Sequence, residues 1–315
     1  MSDTWNGRNL TGCIFEADPG PAPKLNATMQ ATNNLPRHVD LRAHCTPIED
    51  QETTSSCVAN AIVGALELHQ RKAGLPLTDL SRLFLYYNAR SLEKKEGEDC
   101  GSTIHRGMAA VLAFGVCEER LWPFEKAMVT ANPTEACYQN ATHYNAIQFA
   151  RTPRGEPAWA ALAQGLPVAF GMFVPIECYH NLDENGVMPM PEALPQVSPP
   201  CGHAMLIVGY DLDQKHYIVR NSWGTKFGHD GYYKLPFEIA ERATPENQYW
   251  TIGAIEQSPG LGIFGPTVTD SVKHVTDQAG GPSALDQLRK GLRQELNSRL
   301  DTARAGFRDR LRGGH

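Results

Sequence analysis

The feature that most constrains the fold is a change of apolar pattern along this chain of 315 residues. In residues 56–73, 77–93 and 104–115, apolar side chains recur at the spacing of amphipathic helices. Further on, short runs rich in β-branched and aromatic residues are bounded by Gly, Pro and Asp, which is typical of strands. The runs are NAIQFAR, PVAFGMFV, HAMLIVGYD, HYIVRNSW, GYYKL and WTIGAIE. Helices followed by antiparallel strands predict an α+β fold with two lobes that meet near residue 150.

The two ends of the chain differ from this patterned region, which spans residues 36–262. Residues 17–36 are rich in Pro, Ala, Asn and Thr, so we expect residues 1–35 to form an extended arm without a core of its own. Residues 263–315 predict a linker and a basic amphipathic helix with one narrow stripe of leucines. A lone helix cannot bury such a stripe, so we expect it to bind a partner helix or to dimerise. A membrane surface is the alternative.

The composition excludes several classes of function. A hydrophobic content of 41% with 20% charged residues is that of a globular protein, and a net charge of −6 gives no reason to expect nucleic acid as a partner. No apolar run approaches the ~18–20 residues of a membrane-spanning helix. The start, MSDTWNGRNL, lacks the basic and apolar regions of a secretory signal. We therefore expect a cytoplasmic protein or one exported without a signal.

Cys57 is one of eight cysteines, and it stands at the start of the first predicted helix, where Ser55 or Ser56 is the predicted cap. The chain is long and its cysteines are widely spaced, so we expect mostly reduced thiols. A helix N-terminus lowers the pKa of a thiol and so favours the nucleophilic thiolate. A lone cysteine is more often a buried apolar side chain, however, so Cys57 by itself predicts no chemistry.

Two later segments carry the groups that a nucleophilic thiol needs. CGHAMLIVGYD places His203 at the mouth of an apolar strand, and RNSWG places Asn221 eighteen residues further on. The Asn221 carbonyl can accept an imidazole N–H and so fix the tautomer without adding negative charge. Trp223 can keep water away from that hydrogen bond. Taken alone, a histidine or an asparagine of this kind is more often an ordinary structural residue. Together with Cys57 they indicate a catalytic site.

These segments resemble those of the papain-like cysteine peptidases. SCVANAIVGALE is similar to the nucleophile helix of that family, HAMLIVGYD to its histidine strand, RNSWGTKFGHDGYYKL to its asparagine segment and LPRHVDLR to the start of its mature domain. The resemblance covers roughly residues 36–256 and is strongest to a bacterial branch with a short N-terminal arm. It implies a helical lobe, an antiparallel β-barrel-like lobe, an active-site cleft between them and a peptidase that uses no cofactor.

The resemblance also implies a role for individual residues. Cys57 would be the nucleophile that forms a thioester, His203 its acid–base partner and Asn221 the residue that orients His203. Gln51 and the backbone N–H of Cys57 would form the oxyanion hole. The residues implied at the substrate-binding side of the site are Gly101, Ser102, Gly202 and Trp223. A peptide or protein substrate would lie extended along the cleft.

The sequence departs from the family pattern at several positions. Thr54 stands where the family usually has a cysteine, so Cys100, near the usual partner, is expected to be unpaired. Val58 replaces an aromatic residue, Ser102 a glycine and Phe227 a tryptophan. None of these changes removes a group that the chemistry needs. Residues 1–35 are shorter than usual pro-segments, and they are expected either to lie near the cleft and restrain activity or to be a disordered tail.

Two other functions fit parts of the sequence. Cys178 and His180, with Cys201 and His203, are four residues of types that bind zinc, although their spacers are shorter than usual and Cys57 would have no role. The second alternative keeps the fold and is an acyl transferase or a non-hydrolytic peptide-binding module.

Overall fold

The computed structural model describes residues 4–16, 35–144, 146–192 and 201–255. The helices of this part are α1 (Cys57–Lys72), α2 (Arg82–Ser91), α3 (Ile104–Phe114), α4 (Glu135–Ala141), α5 (Glu156–Ala163), α6 (Ile176–His180) and α7 (Phe237–Ala243). Its 3-10 turns are Arg42–His44, Glu119–Leu121 and Lys126–Met128. The linker and helix predicted for residues 263–315 lie outside the described residues, as do residues 17–34.

The strands of the described part are β1 (Thr4–Trp5), β2 (Arg8–Asn9), β3 (Cys13–Ile14), β4 (His38–Asp40), β5 (Ala146–Arg151), β6 (Val168–Met172), β7 (Cys201–Asp211), β8 (His216–Arg220), β9 (Tyr232–Pro236) and β10 (Tyr249–Ile255). The six strand runs predicted from the sequence correspond to β5 to β10. Together with the helices they confirm the α+β class.

The strands form an antiparallel sheet in the order β5-β10-β6-β7-β8-β9, and β3 and β4 also pair with β7. Within the described residues β5 and β9 do not pair with each other, so the sheet is open. The expectation of a barrel-like lobe is corrected in this respect. Strand β7 is the organising element because it pairs with β6, β8, β3 and β4.

Helix α1 is the centre of the helical lobe. Of its 16 residues, those from Cys57 to Gln70 are buried, so the helix is surrounded on all sides. It packs on α2 and α3 within its own lobe and on β6, β7 and β10 of the other. The predicted serine cap is wrong, since Ser56 precedes the helix without a capping bond from its side chain. Packing rather than capping therefore holds the first turn of α1.

The other two predicted helices differ in how well their ends were predicted. Helix α2 begins at Arg82 rather than near residue 77, because the Ser81 hydroxyl accepts the N–H of Phe84 and caps the helix there. The preceding residue, Leu80, is extended and bridges to a residue after α3. Helix α3 ends as predicted at Gly115, whose φ of 72° suits a residue without a Cβ.

No helix in the described part of the chain is long and apolar enough to cross a membrane.

The contact between α1 and α3 requires a glycine. A Cβ at Gly107 would overlap the Cδ1 of Ile62 and lie 3.0 Å from the Cγ1 of Val58. We therefore expect Gly107→Ala to lower the free energy of unfolding by about 1–3 kcal/mol, despite the better helix propensity of alanine. Urea denaturation measures this. Gly97→Ala is the control, because nothing lies within 4 Å of a Cβ there. Equal stability of both variants and the wild type would show that the helices can move apart freely.

Candidate active site

His203 and Asn221 are joined by a hydrogen bond at the centre of the candidate site. His203 lies at the start of β7, and Asn221 directly follows the neighbouring strand β8. The His203 Nε2 is 2.8 Å from the Asn221 Oδ1, which also accepts the backbone N–H of Ser222. Because the Oδ1 is thereby identified as an acceptor, Nε2 carries the proton. The Nδ1 of His203 is buried without a hydrogen-bond partner in the described structure and retains its lone pair.

An aromatic cluster encloses this hydrogen bond. The Trp223 ring stacks on the His203 imidazole, with centroids 4.7 Å apart and an interplanar angle of 29°. Tyr179 and Phe227 in turn contact the Trp223 ring edge to face. Trp223 is only 2% exposed, so water is kept from one face of the imidazole. The role of Trp223 in shielding this hydrogen bond stays a prediction from the sequence.

Cys57 is the first residue of α1, and its side chain is completely buried. The backbone N–H groups of Ala204, Val58 and Cys57 itself lie near enough to its sulfur to act on the pKa of the thiol. Ala204 is the residue after His203 in β7. The start of α1, the start of β7 and the end of β8 therefore meet, and the structure brings Cys57, His203 and Asn221 to one place.

The pKa values of the two reactive groups correspond to a neutral pair. Burial raises the pKa of Cys57 to about 12, although the surrounding N–H groups act in the opposite direction. Burial lowers the pKa of His203 to about 4; the hydrogen bond that His203 donates to Asn221 opposes this effect, and the positive charge of Arg8 adds to it. Near neutral pH the thiol is therefore protonated and the imidazole uncharged in this conformation.

Gln51 is held rigidly next to these residues. Its side chain is completely buried; the Nε2 donates to the Thr54 carbonyl at 2.9 Å and the Oε1 accepts from the Ser222 hydroxyl at 2.6 Å. Its backbone N–H also bonds to the Ser222 carbonyl. An amide nitrogen carries two N–H groups, so one remains for another acceptor. The amide thus bridges the loop before α1 and the segment after Asn221.

The cleft is occupied by the chain's own N-terminal residues. Residues 4–16, called the arm segment below, include β3, which pairs with the start of β7 by placing Cys13 opposite Gly202. On its other side the same segment bonds to Ser102, which donates its N–H to the Gly12 carbonyl at 3.0 Å and accepts the N–H of Ile14 at 2.9 Å. Two residues predicted to bind substrate, Ser102 and Gly202, therefore bind the arm segment.

Gly12 passes directly over the sulfur. A Cβ at Gly12 would lie 3.0 Å from the Cys57 Sγ and 2.6 Å from the Ser55 carbonyl oxygen. Opposite it, a Cβ at Gly101 would lie 2.5 Å from the Gly12 carbonyl oxygen, and the φ of Gly101 is +80°. Glycine at both positions therefore permits the close approach. Gly101, the third predicted substrate-binding residue, thus also contacts the arm segment.

The sequence did not reveal the pocket that receives two side chains of the arm segment. A Cβ at Gly171 would lie 2.5 Å from the Cys13 sulfur, and one at Gly202 would lie 2.6 Å from the ring of Phe15. These side chains fill the space that the two missing Cβ atoms leave. The Oε1 of Gln248 would lie 3.5 Å from a Cβ at Gly171. This oxygen has no hydrogen-bond partner in the described structure. Gly171 and Gly202 are far apart in the sequence, so no local sequence pattern predicts that they line one pocket.

Polar contacts hold the arm segment at both ends. Near its start, Arg8 forms a two-point ion pair with Asp50, the second bond being 2.6 Å. Near its end, Glu16 pairs with Arg106 of α3, and its carbonyl accepts the Asn247 side chain at 2.7 Å. The arm segment is thus attached to both lobes.

A family model described as papain family cysteine protease matches residues 35–249. The chain belongs to the papain family of cysteine proteases. It is 30% identical to xylellain, a cysteine protease from Xylella fastidiosa, over a match that covers 78% of this chain and 97% of that chain with a TM-score of 0.67.

Other papain-family relatives match a similar region. An uncharacterized peptidase C1-like protein of Acanthamoeba polyphaga mimivirus is 33% identical over 233 residues, which cover 69% of this chain and 72% of that protein. Cathepsin L of Sarcophaga peregrina is 30% identical over 214 residues, covering 64% of this chain and 59% of the relative.

The departures from the papain-family pattern have structural counterparts. Cys100 carries no disulfide, and the Thr54 hydroxyl instead donates to the Gln51 carbonyl at 2.7 Å. Among the described residues no three His, Cys, Asp or Glu side chains come together as metal ligands; the Cys201 side chain of the zinc alternative lies outside them. The Nε2 of His203 contacts Asn221 instead.

The contact between Gly12 and Cys57 predicts that a larger residue at position 12 uncovers the sulfur. In Gly12→Val the side chain would overlap Ser55 and Cys57, so the arm segment should leave the cleft. We expect iodoacetamide to alkylate Cys57 about 10-fold faster or more. This increase corresponds to a loss of about 1.4 kcal/mol from the free energy that favours the closed position of the arm segment. Mass spectrometry of the modified peptide measures the rate. Gly97→Val is the control; an unchanged rate in Gly12→Val would contradict the contact.

Proposed function

We propose that Cys57 is the nucleophile of this papain-type cysteine protease and that His203, Asn221 and Gln51 support it. The observation that carries the proposal is the hydrogen bond between His203 and Asn221. It leaves the lone pair of the His203 Nδ1 without a partner, while the N–H of the next residue in β7 is near enough to the Cys57 sulfur to act on its pKa. An imidazole with an orienting acceptor on one nitrogen and a free lone pair on the other suits proton transfer from a thiol.

The proposed reaction has two stages. The sulfur attacks the carbonyl carbon of the scissile peptide bond, and the proton of the thiol passes to the His203 Nδ1. The C–N bond then breaks as His203 returns that proton to the leaving amine, and a thioester remains. Water attacks the thioester and gives a proton to His203; the C–S bond breaks, the carboxylic acid leaves, and the proton returns to the sulfur.

Gln51 and the backbone N–H of Cys57 are proposed to stabilise the negative oxygen that develops in both stages. The rigid attachment of the Gln51 amide supports this role, because a preorganised donor does not have to reorient during the reaction. Losing one such donor typically costs about 2.7–4 kcal/mol of transition-state stabilisation.

The substrate is proposed to be an extended peptide that takes the place of the arm segment. Ser102 already offers one N–H and one carbonyl to an extended chain, and the start of β7 pairs with the same chain from the other side. Main-chain bonds of this kind hold a peptide as an added strand, independently of its side chains.

The arm segment is proposed to restrain activity in two ways. It covers the sulfur with Gly12, and its burial of the site favours the neutral thiol and imidazole over the reactive ion pair. Arg8 adds a positive charge that disfavours protonation of His203. Release of the arm segment would expose both groups to water and remove these effects.

We expect Cys57→Ala to abolish cleavage of a mixed peptide library and to leave folding intact. Asn221→Ala should lower kcat by about 10²–10⁴-fold, since the imidazole loses the acceptor that selects its tautomer. Mass spectrometry of the peptide products gives the rates, and circular dichroism checks the fold. Peptide products that carry an added amine would indicate an acyl transferase. Binding without products in the wild type would indicate a non-hydrolytic module, and full activity of Cys57→Ala would exclude the assigned nucleophile.

The proposed closure should weaken in acid. The pKa of His203 is about 4 under the arm segment and should return towards its ordinary value of about 6.5 when the arm leaves. With Cys57 protonated in both states, the open state binds more protons between these values, and closure loses up to about 10-fold in population per pH unit as the pH falls through this range. An open state that is already an ion pair binds the same number of protons as the closed neutral pair and would give a constant ratio. We expect the alkylation rate of Cys57, relative to that of Gly12→Val, to be higher at pH 5 than at pH 7.5. A constant ratio would argue against the coupling.

A further inference from the structure

Two residues outside the reacting groups, one buried and one exposed, connect the two chain segments that border the cleft. One segment is the loop that leads into Cys57 and contains Ser55. The other is the edge formed by Gly101 and Ser102, to which the arm segment bonds. Asp99 and Tyr86 lie between them, and the function proposed above uses neither residue.

A continuous series of hydrogen bonds passes through these residues, which we call the brace (Ser55, Asp99, Tyr86 and Gly101). The Ser55 N–H donates to the Asp99 Oδ1 at 2.9 Å, and the Ser55 hydroxyl donates to the Asp99 carbonyl at 3.1 Å. The Tyr86 hydroxyl donates to the same Oδ1 at 2.6 Å and accepts the N–H of Gly101 at 2.8 Å. The brace thus reaches from two residues before Cys57 to one residue before Ser102.

Tyr86 is well suited to hold this position. It projects from α2, its side chain is completely buried, and the Arg90 guanidinium lies 3.8 Å from the centre of its ring. Burial, together with the nearby Asp99, raises the pKa of its hydroxyl, so the group stays protonated and can both donate and accept. Ser55, Tyr86 and Gly101 are buried, so a displacement there would leave a polar group unpaired away from water, which makes these members of the brace rigid; Asp99 itself is exposed.

We propose that Asp99 and Tyr86 are positioning residues that set the distance between the nucleophile loop and the edge that binds the peptide. The proposal rests on the assignment of Cys57 as nucleophile and of Ser102 as a main-chain partner of the substrate. Gly101 adopts a positive φ of 80°, a conformation that its bond to Tyr86 helps to maintain. The N–H and carbonyl of Ser102 are thereby presented to a peptide at a constant position relative to the sulfur.

Asp99 also has an electrostatic effect that is separable from its hydrogen bonds. Burial is the main reason that the pKa of Cys57 is raised, and the negative charge of Asp99 raises it further. The other titratable or charged groups of the site are His203 on β7 and Arg8 of the arm segment, whose charge acts on His203. An asparagine at position 99 would keep an acceptor for Ser55 and Tyr86 while it removes the charge.

The test compares Asp99→Asn, Asp99→Ala and Tyr86→Phe in the full chain, with Tyr87→Phe as a matched control. Tyr87 is the next residue of α2, and its hydroxyl donates to Asn132 rather than to the brace. Two properties are measured: the KM and kcat for one peptide, and the rate of Cys57 alkylation by iodoacetamide as a function of pH. Circular dichroism checks that each variant is folded.

We expect Tyr86→Phe and Asp99→Ala to raise KM by about 10-fold or more, because the peptide-binding edge loses its position. Both variants should also raise the limiting rate of alkylation at high pH, since the arm segment bonds to the same edge. Asp99→Asn should keep the KM of the wild type but shift the midpoint of the alkylation profile to lower pH. Tyr86→Phe should leave that midpoint unchanged, and Tyr87→Phe should change neither property.

Several results would contradict the positioning role proposed for the brace. Wild-type KM and limiting alkylation rate in Tyr86→Phe would do so, as would an equal effect of Tyr87→Phe. If Asp99→Ala does not fold, Tyr86→Phe alone decides the positioning role and Asp99→Asn the charge effect. Failure of the proposed function gives a different pattern: peptide cleavage is absent or survives Cys57→Ala, while the alkylation rates still report on the brace.

Discussion

The packing of the first turn of α1 against the start of β7 is the contact on which the rest of the molecule depends. It joins the helical lobe to the sheet and brings the Cys57 sulfur near the N–H of Ala204, the residue after His203. Strand β7 is held on both sides along the sheet and α1 is surrounded on all sides, so neither element can shift without disturbing much of the core. Close packing of this kind holds reacting groups to within fractions of an ångström, which is the precision that catalysis requires. The position of Asn221 follows, because β8 pairs with β7 along most of its length and ends next to His203.

Burial of the site determines its chemical state in the conformation described. A thiol and an imidazole that are both removed from water are more stable as neutral groups, and their pKa values of about 12 and about 4 express this preference. The same residues in an open cleft would regain water and the mutual attraction of opposite charges. The arm segment therefore acts on the chemistry as well as on access, in our proposal, and Arg8 strengthens the effect through its charge. Inhibition of this kind needs no change in the proposed catalytic residues themselves.

Hydrogen bonds connect the loops around the cleft. Gln51 links the loop before α1 to Ser222, and Asp99 links the same loop through Tyr86 to the edge at Gly101. The cysteine at position 100 carries no disulfide. Apart from the exposed Asp99, the members of this network are buried and hydrogen-bonded, so it can be rigid without a covalent bond. The geometry of the site is also sensitive to single substitutions in this network, since each member has few alternative hydrogen-bond partners.

Much of this protein was predictable from its sequence, because helices, strands and the order of Cys57, His203 and Asn221 are local patterns. The apolar periodicity of α1 and the β-branched runs of β5 to β10 depend on neighbouring residues, and the resemblance to papain-like peptidases depends on short segments. The late start of α2, the open sheet and the pocket at Gly171 were decided by the tertiary structure. So were the contact of Gly12 with the sulfur and the brace through Asp99 and Tyr86. These features join residues far apart in the chain, and the free energy of such contacts depends on packing and burial that no short segment encodes.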